Sequence, residues 1–264
     1  MTHAAEFADL MQSHRSIRQY RDTPLEPGLI DRVLAQALAG SSSSGNLNLV
    51  SVIKTQDPQR KARLCEMHFG QPMVLQAPLV LTFCADSFRT RQWLSQRQAR
   101  LNFGNFISWH VAAFDAIILA QTTALALQSH GLGICYMGTT LHSMGQIADY
   151  LRCPDHCLPV TSMVVGWPAE TPAQRDRLPS AAWIHDETYQ RPSAADIDRH
   201  FGAREVKGWE RYRSMGQDIV DKMDGLGITS LAQYYTSDIK YAPQTFERDS
   251  KALAELLQAR GFLP

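Results

Sequence analysis

Residues 105–138 read NFISWHVAAFDAIILAQTTALALQSHGLGICYMG, and the architecture of the chain turns on them. The first part, residues 105–130, is rich in helix formers, apolar on almost every face, and stops at Gly131. About 26 residues at 1.5 Å each predict a helix of roughly 39 Å. A helix apolar on most faces must be covered on most faces. A sheet of the same domain covers one side, and the other side calls for a further cover, such as a second subunit. Ile134–Met137 then forms a strand that ends on Gly138-Thr139-Thr140.

Working outward, residues 4–14 predict a short helix with Phe7, Leu10 and Met11 on one face. His14-Arg15-Ser16-Ile17-Arg18-Gln19-Tyr20 is extended, and Thr23-Pro24 breaks the chain. Pro27 opens a second helix in the favoured first-turn position. Its apolar residues Ile30, Val33, Leu34, Ala37 and Leu38 recur at helical spacing, and Gly40 stops it. A loop, Ser41–Asn46, leads to a strand at 49–54 and a helix at 57–69. Residues 77–85 (APLVLTFCA) form a near-continuous β-favouring apolar run, which predicts a buried central strand. A polar helix at 87–100 follows. Downstream of Gly138 come an amphipathic helix at 142–152 and a strand at 160–167. A polar, proline-rich stretch then reaches Pro192, and helices run to the end, the last over about 246–260. Strands and helices mix without strict alternation, which predicts an α+β fold with one central sheet flanked by helices.

Bulk properties exclude several functions. With 26 basic and 26 acidic residues the net charge is zero, so nothing draws a polyanion from a distance and nucleic acid is not an expected partner. Met1–Leu10 lacks a basic head and apolar run, which predicts no secretory leader. No stretch reaches 18 uninterrupted apolar residues, so no membrane-spanning helix is expected. Five irregularly spaced cysteines predict reduced thiols in a cytoplasm. Cys153-Pro-Asp-His156-Cys157 hints at metal but meets no structural zinc spacing, so no metal is expected. Gly131-Leu132-Gly133 is not a dinucleotide fingerprint: Tyr136 stands where the third glycine belongs, and helix and strand come in the wrong order. No G-x-S-x-G elbow supports a hydrolase.

Other segments carry ligand chemistry beside an ordinary reading. His14-Arg15-Ser16-Ile17-Arg18 gathers two guanidiniums and a hydroxyl, suited to phosphate or to a solvated basic patch. In an extended segment Ser16 and Arg18 share a face. Ser41-Ser42-Ser43-Ser44-Gly45-Asn46 suits either a flexible linker or close backbone approach to a flat ligand. Tyr136-Met137-Gly138-Thr139 ends a buried strand, where ligands often lie, or makes a plain turn. Arg175 and Arg177 are a second basic pair or a surface charge run.

In order along the chain, HRSIR, SSSSGN, Gln71 in FGQ, GLGICYMG, VVGWPAE and R-x-RLP resemble the nitroreductase family, in particular its larger, oxygen-insensitive NAD(P)H-dependent branch. The resemblance runs from about Ala5 to Tyr189 and is loose in the C-terminal quarter. It implies a three-layer α+β sandwich with a mainly antiparallel central sheet, an intertwined homodimer, and FMN at the subunit interface. It implies a core over 1–192 with a helical extension, 193–264, of the same domain packing on the dimer. His14, Arg15, Ser16 and Arg18 would contact FMN, Ser16 by the phosphate and Arg18 by the pyrimidine end. Arg175 and Arg177 would complete the phosphate clamp, and Gln71 would hydrogen-bond the ring edge. Tyr136, Met137, Gly138 and Thr139 would pass the ring's middle, giving a backbone N–H to N5. Ser42, Ser43, Ser44 and Asn48 would come from the partner subunit.

The implied activity is transfer of electron pairs from NAD(P)H to nitroaromatic or quinone acceptors, with no separate catalytic side chain because the flavin carries the chemistry. Flavin reduction, or dehydrogenation or dehalogenation of one specific aromatic, are alternatives. So are a flavin-binding module without turnover and, more distantly, a cysteine-based metal protein. Three departures from the family pattern stand out. The loop after Gly138 reads Thr139-Thr140-Leu141, without the basic residue often seen there. The stretch corresponding to the family's 2′-phosphate site reads Tyr234-Tyr235-Thr236-Ser237-Asp238-Ile239-Lys240, with one base and one acid, leaving NADH or NADPH open. The segment 91–110 is aromatic (Trp93, Phe103, Phe106, Trp109, His110) and suits an acceptor cap or plain core.

Overall fold

The computed structural model describes residues 3–264; Met1 and Thr2, the start of the stretch read for a secretory leader, lie outside the described residues. The elements are α1 (His3–Gln12), α2 (Leu29–Gly40), β1 (Val50–Thr55), α3 (Pro58–Met67), α4 (Met73–Gln76), β2 (Leu79–Asp86), α5 (Phe88–Gln96) and α6 (Phe106–Ser129). They continue with β3 (Gly133–Met137), α7 (Met144–Tyr150), β4 (Cys157–Gly166), α8 (Ala194–Arg213), α9 (Gln217–Gly225), α10 (Leu231–Tyr235) and α11 (Pro243–Ala259). The strands form one sheet in the order β1-β2-β4-β3, and each neighbouring pair is antiparallel.

Strand pleating sorts alternate residues onto the two sheet faces. Val80 and Cys84 of β2, Cys135 and Met137 of β3, and Leu158 and Val164 of β4 join a core with α3, α4 and α7. Leu79, Leu81 and Phe83, Ile134, and Met163 and Val165 join the opposite core with α2 and α6. All eight residues of β2 are buried, as its unbroken apolar run requires. This gives the expected helix–sheet–helix layering.

The long helix is 24 residues, so about 36 Å. Asn105 caps it, its side chain accepting from the Ser108 N–H at 3.0 Å. By length and composition α6 could cross a membrane, although Ser108, His110, Asp115 and Gln121 interrupt its apolar residues. Its packing against α2 and the sheet makes it a core helix instead. One face, carrying Ala112, Ala116, Ala120, Ala124 and Leu127, is buried, while Phe106, Ile107, Phe114, Ile117 and Ile118 stand exposed on another.

The structure corrects three boundaries. Pro27 does not begin α2: Glu26-Pro27-Gly28 makes a turn, Gly28 at φ 75° is the N-cap, and the helix starts at Leu29. Residues 73–76 form a short helix just before β2, which starts at Leu79 rather than Ala77. β4 begins at Cys157, three residues earlier than expected.

The contacts divide the chain into two compact units, residues 1–174 with 253–264, and residues 175–252. In the second, Met223, Ile228, Leu231 and Tyr234 form a separate small core. Its helix α8 starts with a capping box in which Ser193 and Asp196 exchange side chain-to-backbone hydrogen bonds.

Gly133 is where the sheet meets the N-terminal basic segment. A Cβ there would stand 2.7 Å from Ile17 Cγ1 and 3.0 Å from Pro168 Cγ. Gly133→Ala is therefore expected to push residues 14–18 off β3 and to cost about 1–3 kcal/mol by overpacking. Urea denaturation and cofactor titration measure the two effects.

Candidate functional site

The segment from His14 to Tyr20 lies along β3, the edge strand. Ser16 forms a parallel bridge with Ile134, and the Ile17 N–H donates to Ile134 O at 2.8 Å. Farther on, Tyr20 bridges Pro168 and the Arg21 N–H donates to Trp167 O at 2.9 Å. Glu170, just past β4, clamps the same segment: one carboxylate oxygen accepts from the backbone N–H groups of Arg18, at 2.5 Å, and Gln19, at 3.1 Å. The backbone thus holds the segment in place, and its basic side chains are left for other work.

His14 Nδ1 meets Gln128 Oε1 of α6 at 3.1 Å. Arg15 lines a cavity of about 200 Å³ with Leu10, Ile17, Gln128, Gly133 and Glu170. Its Nε is buried and has no hydrogen-bond partner. Burial pushes the Cys135 thiol of β3 up, against a lowering by the nearby Arg18 guanidinium and a hydrogen bond with Ser16. Ser16 and Arg18 therefore face the same part of β3. Arg18 is exposed, and its guanidinium donates to Ser16 O at 3.3 Å.

The end of β3 supplies a second wall. Met137 is buried, Tyr136 is half-buried, and the Tyr136 hydroxyl donates to Gln121 Oε1 at 3.3 Å. Gly138 is exposed, with nothing within 4 Å of where a Cβ would stand. Thr139 Oγ1 is 2.8 Å from Nδ1 of His68, a fully buried histidine. The Gln71 N–H donates to His68 O at 3.3 Å, and Gln71 O accepts from the Cys65 thiol at 3.4 Å. His68 thus joins the Gln71 loop to the β3 end.

Burial holds His68 down to about 4, from an ordinary 6.5, and leaves its Nε2 unpartnered. Between these values the unfolded chain binds the proton that the folded one refuses, so stability falls as pH drops through that window. The full loss is about 3 kcal/mol below pH 4. His68→Gln is expected to flatten this acid-side slope, as urea unfolding at pH 7 and pH 4.5 would show.

The serine loop is organised by Asp115, a buried acid on α6. Its Oδ2 accepts from Ser43 Oγ at 2.6 Å and the Leu49 N–H at 3.0 Å; its Oδ1 accepts from the Ser44 N–H at 3.3 Å. Ser43 Oγ in turn accepts from the Asn48 N–H at 2.7 Å. Asn48 adopts φ 51°, and its carbonyl accepts from Arg89 at 2.7 Å. These bonds run to α6, β1 and α5, and leave Ser42 and the Ser44 side chain exposed. The loop is a tied turn, not a linker.

Arg175 and Arg177 belong to the second compact unit, where both are exposed. Arg177 donates to Arg175 O at 3.1 Å, and Asp176 between them pairs with Arg204 and Arg211 at 3.5 and 3.7 Å. In the same unit Tyr234 is buried and Lys240 lies over the rings of Tyr212 and Tyr241, at 5.8 and 5.0 Å. Among the aromatics of residues 91–110, Phe106, Trp109 and His110 form a ladder that continues to Phe114.

Asp115, His68 and Glu170 are the organising residues that the sequence reading does not assign. One acid in an otherwise apolar helix is the only local signal for Asp115. Glu170 sits inside the quoted VVGWPAE, and nothing local marks His68.

A central antiparallel sheet between helical layers, with a basic segment on its β3 edge, defines the nitroreductase fold. A nitroreductase from Bacillus subtilis superposes with a TM-score of 0.81 at 27% identity, covering 97% of this chain and 98% of that one. The chain belongs to the nitroreductase family, whose model matches residues 11–167. It is 35% identical over 256 residues, 96% of each chain, to the FMN reductase [NAD(P)H] of Bacillus subtilis strain 168. The NADPH:FMN oxidoreductase of Vibrio harveyi, solved with NAD+, matches with a TM-score of 0.69 at 26% identity, covering 89% of this chain and 99% of that one.

Proposed function

We propose that the protein is a cytoplasmic, homodimeric, FMN-dependent oxidoreductase that uses NAD(P)H to reduce nitroaromatic, quinone or related small aromatic acceptors. The orphaned Arg15 Nε, in the segment that also carries Ser16 and Arg18 along the β3 edge, carries this reading. A buried, unpaired donor costs stability, and an anionic ligand removes that cost. The residues fit FMN: the basic segment suits its phosphate, and exposed Gly138 gives a flat ring unobstructed backbone.

FMN, when bound, supplies the hydride acceptor and electron-pair donor. Arg15, Ser16 and His14 would hold it. Arg18 favours negative charge at the pyrimidine end, which favours the reduced form. Gln71 and the Tyr136–Thr139 backbone orient the ring, with Gln71 and Thr139 fixed through His68. Ser42, Ser43, Ser44 and Asn48 of a second copy wall the slot. The exposed apolar face of α6 supports that dimer.

A slot that left a single face of bound FMN accessible would admit donor and acceptor in turn, so double-reciprocal plots are expected to be parallel; converging lines would contradict a shared face. The FMN reductase relative, matched over nearly its full length, favours free flavin as an alternative acceptor. Comparing kcat/KM for a nitroaromatic, a quinone and free FMN decides between the two readings.

A further inference from the structure

The Cys153–Cys157 stretch acquires a third sulfur on folding. Cys157 opens β4 opposite Asp86, while Cys84 of β2 lies beside it at a β-bulge between Phe83 and Cys84. Cys153 sits in the turn after α7, its N–H donating to Ala148 O at 2.8 Å. The three sulfurs lie within 4.8 Å of one another, and all three residues are buried. We propose that Cys84, Cys153 and Cys157 form a site for a three-coordinate thiophilic ion, specifically trivalent arsenic.

With arsenic–sulfur bonds of about 2.3 Å, like those of zinc, and a pyramidal arrangement with angles of about 100°, three sulfurs stand about 3.5 Å apart. Sulfurs that already lie within 4.8 Å of one another reach that spacing by small side-chain shifts. Among the described residues, no histidine nitrogen or carboxylate oxygen joins it as a fourth ligand. That disfavours zinc, which takes four ligands in structural sites. The three cysteines belong to a buried apolar core that also contains Ala148, Leu151, Leu158, Leu257 and Phe262.

Charge then selects the ion. Arsenous acid brings three hydroxyls and no net charge. On binding, three As–O and three S–H bonds break, three As–S and three O–H bonds form, and three waters leave. No electron moves, and no charge enters the interior. A divalent ion on three thiolates would leave a net negative charge there, which is costly.

The test uses the full-length protein with its flavin, incubated with sodium arsenite and a thiol-free reductant, then desalted. Native mass spectrometry is expected to show one arsenic per chain, with a mass gain of one arsenic less three hydrogens. Arsenic K-edge absorption is expected to show three sulfurs and no oxygen. Cys84→Ser and Cys153→Ser should each abolish retention, while Cys65→Ser keeps it. Should those variants fail to fold, the absorption spectrum of the unmodified protein decides alone. No retained arsenic, an arsenic shell with oxygen, uptake surviving Cys84→Ser, or preferential retention of zinc or cadmium each overturns the proposal.

Discussion

Asp115→Ala is expected to destabilise the protein by about 3–5 kcal/mol, because it leaves three donors without their acceptor at about 1–3 kcal/mol each. Asp115 is 3% exposed and accepts from Ser43, Ser44 and Leu49. Truncation strands two backbone donors and a hydroxyl between α6 and β1, and each buried orphan is costly. Asn is the instructive control. Its single acceptor oxygen can keep the Ser43 and Leu49 bonds in the Oδ2 position, which turns its amide NH2 toward the Ser44 N–H. Asp115→Asn should therefore lose one bond and cost about 1–3 kcal/mol. The loop also carries Ser42, Ser43, Ser44 and Asn48, so Asp115→Ala should weaken FMN retention as well. Urea midpoints for the two variants give the order; equal stability in both would remove Asp115 as the organiser of the loop.

Replacing Arg15 and Arg18 together by alanine is expected to weaken FMN binding about 10²- to 10⁴-fold. Hydrogen bonds to charged groups contribute about 1.5–3 kcal/mol each, and 1.4 kcal/mol is tenfold in affinity. The fold should survive. Glu170 grips the backbone N–H of Arg18, and Ile17 grips β3 through its own N–H, so neither guanidinium holds the segment. Arg15→Ala even removes a buried unpartnered Nε. Loss of affinity without loss of apoprotein stability is the signature that separates a ligand role from a structural one. Arg18→Ala alone should also lower the reduction potential of the bound flavin, measurable by equilibration with a reference dye. An unchanged potential would strip Arg18 of its assigned role.

The fold is legible where chemistry is local. The unbroken β-favouring run of β2 and the apolar stretch of α6, bounded by Asn105 and Gly131, both signal their elements by composition alone. Boundaries fail where tertiary pairing overrides a local rule. Pro159 argues against a strand, since it lacks an N–H for the ladder. It nonetheless lies in β4, paired with Cys84 at the bulge, where an irregular register tolerates it. The site divides in the same way. Basic and glycine-rich segments are visible as motifs, because their residue types carry the chemistry. Their supports are not: Asp115 serves donors near residue 45, and His68 reaches Thr139, so no spacing encodes either. Cys84 joins Cys153 and Cys157 only through the β2–β4 pairing.

Anaerobic titration of the FMN-reconstituted protein with NADPH and with NADH, followed in the visible spectrum, bears most directly on the flavin assignment. One FMN should bind per chain, and at least one of the two nucleotides should bleach it stoichiometrically, with colour returning on addition of a nitroaromatic or quinone. A protein that takes up no FMN, or whose bound flavin neither nucleotide reduces, would contradict it.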